Sequence, residues 1–113
     1  MTTPDDFRRL ALALPETEEA PHFESASFRV RGKIVATLDG LSATLKLPVL
    51  VQEALIQSDP DRVSLPIHWS RFGWTTVELA GFEEDRLADL LDLAWRQVAP
   101  KALVQARAPR SEP

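Results

Sequence analysis

The chain has 113 residues, a formal net charge of −4 and no cysteine. That length suits one domain with a single core, and the missing thiols exclude disulfides, thiolate zinc sites and a cysteine nucleophile. The negative balance argues against strong non-specific nucleic-acid binding, which rests on phosphate neutralisation, although Arg29, Arg31, Lys33 and Lys46 face only Asp39 between positions 25 and 46.

Thr3-Pro4-Asp5-Asp6 reads as a helix start, with a cap, a proline at the first helical position and two acids at the positive end of the dipole. Phe7, Leu10, Ala11 and Leu14 then share one face, and Pro15 ends the helix. Leu10 to Leu14 is too short for a signal core. No stretch approaches the roughly 20 apolar residues that span a bilayer, so the expected location is the cytoplasm, with no membrane partner. Residues 16–24 are acidic, contain Pro21 and read as a loop leading to an edge strand.

Ser27 to Arg31 alternates apolar and polar, the strand period. Gly32-Lys33 is expected to turn the chain into a more buried strand, Ile34 to Leu38. Asp39-Gly40 is a hairpin signal, and Ala43 to Leu47 returns, completing a three-stranded antiparallel meander. Pro48 opens a second helix, with Leu47, Leu50, Val51, Ala54 and Leu55 on its buried face, which stops at Asp59-Pro60. Residues 62–67 read as irregular. A dense aromatic and basic run follows, His68-Trp69-Ser70-Arg71-Phe72-Gly73-Trp74, and leads into a strand from Thr75 to Leu79. The last long helix runs from about Glu83 to Val98 on a stripe of Leu87, Leu90, Leu91, Ala94, Trp95 and Val98. Leu93 falls off that stripe and either widens it or touches a partner. Lys101 to Gln105 adds a turn. The single domain spans 1–105, and 106–113 is expected to be a disordered tail. The class is α+β, an antiparallel sheet of three meander strands plus a later one, with helices packed on one side.

Chemistry is sparse in this order of residues. His22 and His68 have no ligand spacing that forces metal geometry. No serine sits in a nucleophile elbow, and the isolated glycines cannot cradle a phosphate. No catalytic residue, metal or cofactor is expected, and the chain is not read as an enzyme. Arg29 and Arg31 lie two apart on one strand and are expected on one sheet face, either as a solvated outer face or as a phosphate-contacting surface. Trp69, Phe72 and Trp74 suit base stacking, or core packing, the expected role of Phe72 and at least one of the two tryptophans.

Leu14-Pro15-Glu16-Thr17-Glu18-Glu19, Pro21-His22-Phe23, and Phe28 through Ala36 resemble the opening of the MmcQ/YjbR family. Thr44-Leu45-Lys46-Leu47-Pro48, Arg71 three before Trp74, and Ala94-Trp95 with Ala99-Pro100-Lys101 extend the resemblance over positions 4 to 105. Gly73 stands where some members carry a histidine. The resemblance implies a double-wing-like fold, named for the DNA-binding domain of a phage transcription factor, and a DNA-binding role. Carried over by position, it implies contacts from Arg29, Arg31, Lys33, Lys46, Arg71 and Trp74. The alternative is a protein-interaction or small-ligand module that uses the aromatic surface around Trp69 and Trp74. The oligomeric state stays open.

Overall fold

The computed structural model describes residues 2–68 and 70–109. Helix α1 (Pro4–Leu12) starts on a reciprocal cap, in which Asp6 N donates to Thr3 Oγ1 at 3.1 Å and Thr3 N donates to Asp6 Oδ2 at 3.0 Å. Strands β1 (Thr17–His22), β2 (Ser25–Val30), β3 (Lys33–Asp39) and β4 (Ser42–Lys46) form consecutive hairpins. Helix α2 (Val49–Ser58) leads to a two-residue strand, β5 (Val63–Ser64), and then to β6 (Trp74–Glu78). Helices α3 (Glu84–Val98) and α4 (Lys101–Ala106) close the fold. The sheet is antiparallel, in the order β1-β2-β3-β4-β6-β5. This is the α+β arrangement read from the sequence, with six strands instead of four.

Helix α3 lies against β3 and β4, and α1 against α3 and β1. Beneath them sit Phe7, Phe28, Leu45, Leu91 and Trp95, all essentially inaccessible. Phe7 meets Phe28 edge to face at 5.8 Å between ring centroids. The Trp95 indole N–H reaches Pro15 O at 3.0 Å, which ties α3 to the end of α1. Leu93 also packs against this core. Among the described residues no helix is long and apolar enough to cross a membrane.

Several expectations change. Residues 17–22, read as loop, form edge strand β1, which makes β2 an inner strand and not the expected edge; Glu18, Glu19 and Pro21 protect the open edge. Residues 63 and 64 form β5, the opposite edge. The first hairpin after β2 turns at Arg31-Gly32, not Gly32-Lys33: Val30 pairs with Lys33, and both turn residues have positive φ, 52° and 81°, as a two-residue primed turn needs. The α2 face differs as well. Leu50 is 80% exposed, whereas Gln52 and Leu55 are buried. Phe72 is 48% exposed, in a short 3₁₀ turn (Ser70–Phe72), not in the core. The helix of residues 101–106 extends one residue into the expected tail. Arg107 then donates to Asp92 Oδ1 at 2.7 Å, and Ala108 O accepts from Arg96 at 2.8 Å.

Candidate functional site on the open sheet face

Helices cover one face of the sheet. Residues on the other face alternate with the core along every strand. Directly opposed pairs share a face, so one row contains Ala20, Ser27, Thr37, Thr44, Thr76 and Ser64 in strand order. It is a row of five hydroxyls beside one alanine. Thr44 Oγ1 and Thr76 Oγ1 are hydrogen-bonded at 2.8 Å.

The neighbouring row contains Glu18 opposite Arg29, Arg29 opposite Ile34, and Lys46 opposite Trp74. A bulge creates this row. Phe28 pairs with Ala36, but Arg29 pairs with Ile34, leaving Val35 as the extra residue. Val35 and Ala36 both enter the core, and Ile34 turns to the open face.

The open face is concave. His22, Ile34, Thr37, Thr44, Pro66, Trp74 and Thr76 line a groove of about 400 Å³. His22 contacts Phe23, with ring centroids 4.9 Å apart. A larger depression of about 630 Å³ lies beside α1 and the hairpin tips, but its charged residues include Arg8 and Glu19, which already pair at 2.9 Å.

Gln52 on α2, which the sequence reading passed over, positions the Trp74 end of the groove. Its Nε2 donates to Ser70 O and Trp74 O at 3.0 Å and to Thr75 Oγ1 at 3.1 Å. The reason lies in the short β5. Continuing its register beyond Ser64–Thr76 would bring Pro66 opposite Trp74, and proline has no N–H to donate. Gln52 supplies that donor. The one sequence signal is a glutamine that closes the apolar run Val49-Leu50-Val51 at the start of α2. Gly73 fixes the other side of Trp74. Its φ is +92°, and a Cβ built there would stand 2.0 Å from Leu47 O. Gly73 O accepts from Leu47 N at 2.9 Å.

The sequence-derived site residues therefore separate. Arg29, Lys46 and Trp74 share the open face. Arg29 Nε donates to Ser27 Oγ at 2.9 Å, and Ser27 Oγ donates to Ala20 O at 2.9 Å. Among the described residues neither Arg29 nor Lys46 forms an ion pair. Arg31 does not join Arg29, because the turn takes it off the strand. It pairs with Glu16 at 2.8 Å. That hydrogen bond holds the Glu16 carboxyl below its ordinary range and raises the Arg31 guanidinium. Lys33 is exposed in the helix-facing register, opposite Val30. Arg71 stacks over Phe72 at 4.8 Å and lines a separate depression with Ile67 and His68. Trp69 lies outside the described residues. Most other arginines are also neutralised: Arg8, Arg9, Arg86, Arg96 and Arg107 each pair with a carboxylate. Among the described residues no three potential metal ligands converge.

An antiparallel sheet, helices on one face and an open, hydroxyl-rich groove on the other define a small α+β module with one free sheet surface. The chain belongs to the YjbR family, whose model matches residues 12–97. It is similar to the crystal structure of Deinococcus radiodurans protein DR2400, described by the family-model domain DUF419. The two share 26% identity and a TM-score of 0.78, over 94% of this chain and 88% of that one. No curated protein matches.

Proposed function

We propose that this chain is a non-enzymatic binding module that takes single-stranded DNA across the open face of its sheet. The observation that carries the reading is the cross-strand pair Lys46–Trp74, with Arg29 on the same face. An aromatic platform beside a cation suits an unstacked base and its phosphate. Two cations are few for a duplex, which carries one charge per roughly 1.7 Å, and Arg31 and Arg71 point their charge elsewhere. Glu18 and Glu78 at the margins of the face further disfavour the denser charge of a duplex. His22 is the one titratable side chain lining the groove, and the Thr44 and Thr76 hydroxyls there bond to each other. A small-ligand reading is favoured by the groove's concavity, since about 400 Å³ falls at the small end of ligand pockets.

Fluorescence anisotropy of labelled single and double strands over a salt series tests the proposal. The single strand is expected to bind more tightly, with a log–log salt slope near −1.4, about 0.7 for each of two neutralised phosphates. Arg29→Ala and Lys46→Ala should each flatten the slope by about half. Absence of binding to either strand form at low salt would overturn it.

A further inference from the structure

The groove and its rim differ in charge. Its walls at one end are the Trp74 and Pro66 rings and Ile34, its floor is the Thr37, Thr44 and Thr76 hydroxyls, and no Asp, Glu, Lys or Arg lines it. With His22 as its one titratable side chain, that space suits an uncharged group with a flat apolar face for Trp74 and polar edge atoms for the floor. The Thr44–Thr76 hydroxyl pair uses one proton between its two oxygens, so it retains one donor and several lone pairs. Such a floor satisfies an edge that presents both donors and acceptors. Immediately outside the groove, Lys46 is the cross-strand partner of Trp74, about 5 Å away at Cα. A negative group attached to a ring on Trp74 lies within reach of its ammonium.

We infer that the groove is a pocket for a single nucleotide, with the base stacked on Trp74 over the threonine row and the phosphate on Lys46. The inference rests on the proposed open-face reading but makes a separate claim. Binding is local to one nucleotide, so a free mononucleotide suffices, and a strand contributes through one unstacked unit. The groove's size supports this, because about 400 Å³ holds one ring system and its sugar, not several bases. The acidic margins at Glu18 and Glu78 disfavour a longer track.

Titration of ¹⁵N-labelled protein with AMP, CMP, GMP and TMP, with adenosine, with inorganic phosphate and with an oligothymidine strand tests it. Mononucleotides should shift the amides of Thr37, Thr44, Trp74 and Thr76. Adenosine should shift the same amides at several-fold weaker affinity, and phosphate alone should not reproduce the pattern. Trp74→Ala should weaken mononucleotide binding about tenfold, the equivalent of about 1.4 kcal/mol for one lost stack. Trp74→Phe, which keeps a ring and a folded strand, should restore most of it. Lys46→Met should abolish the preference for nucleotide over nucleoside and leave adenosine binding intact. If strands bind while mononucleotides leave the groove amides unmoved, this inference is wrong and the DNA reading stands. If mononucleotides bind in the groove and strands do not, the DNA reading is wrong and this inference stands. Trp74→Phe binding no better than Trp74→Ala, with both folded, would also refute the stacking geometry.

Discussion

Gln52 offers the sharpest test of how the groove is held. Its Nε2 faces three acceptors, Ser70 O, Trp74 O and Thr75 Oγ1, while the residue itself is 6% exposed. Two of these keep another bond, since Gly73 N donates to Ser70 O and Thr75 Oγ1 donates to Gly73 O. The Trp74 carbonyl has Gln52 in place of the strand neighbour that β5 does not provide. Gln52→Leu conserves volume and strands that carbonyl, at a cost of about 2 kcal/mol, or roughly 8 °C in melting temperature for a domain of this size. Gln52→Glu behaves differently. One carboxyl oxygen replaces a donor opposite three acceptors, so only the protonated form fits, and the introduced carboxyl's folded pKa rises above its unfolded value of about 4.3. A raised pKa gives stability that is full below the unfolded pKa and is lost as pH rises through the folded one. Gln52→Glu should thus be near its best at pH 4 and lose about 1.4 kcal/mol per pH unit above that, up to the folded pKa. Gln52→Leu should track the parent protein over the same range. Thermal melts across pH measure both, and amide exchange should accelerate first at residues 70–75. A Gln52→Glu protein as stable as the parent at pH 7, or offset by a constant amount at all pH values, would refute the argument.

Asp92 makes a second pH prediction. Burial pushes its carboxyl up, but hydrogen bonds from Arg107 and Arg96 outweigh this, and the net value lies below the ordinary range. A lowered pKa stabilises above the unfolded value and the contribution is lost as pH falls, so Asp92→Asn should flatten the acid limb of the stability curve and cost about 2 kcal/mol at pH 7. It should also quicken proteolysis beyond Ala106, read by mass spectrometry. Gly73→Ala combines φ +92° with a Cβ 2.0 Å from Leu47 O and should destabilise by about 3 kcal/mol or more, seen as a large fall in melting temperature. Arg31→Ala removes an exposed pair with Glu16 and should leave single-strand affinity unchanged in the anisotropy assay. Equal losses for Arg31→Ala and Arg29→Ala would contradict the separation of these two residues.

Much of the scaffold is legible in the residues themselves. The Thr3 cap, the strand alternation from Ser27, the Asp39-Gly40 hairpin signal and the Leu87-to-Val98 stripe are local rules, and local rules survive into the fold. Edge strands are less visible. Residues 17–22 carry glutamates and a proline because an edge must resist pairing, and those residues imitate a loop. In α2, a ten-residue helix whose apolar residues gather on no single dominant face leaves its buried side undetermined, so Leu50 and Gln52 exchange roles relative to a simple helical reading.

The same division runs through the candidate site. Arg29, Lys46 and Trp74 are visible from composition, alternation and family likeness. Which cations keep company is not, because one turn residue decides it. With Arg31 in the left-handed region, the strand ends at Val30 and the guanidinium meets Glu16, fifteen residues upstream. The Val35 bulge likewise moves Ile34 into the groove by adding a residue that no periodicity announces. The threonine row assembles from three strands, each contributing one inconspicuous residue. Sequence by itself determined the helices, the four inner strands, the fold class and the supply of an aromatic and two basic residues, since these follow from neighbours a few positions apart. Tertiary structure alone decided which charges cancel, which hydroxyls align and where Gln52 donates, since register and bulge place side chains that are distant in the chain.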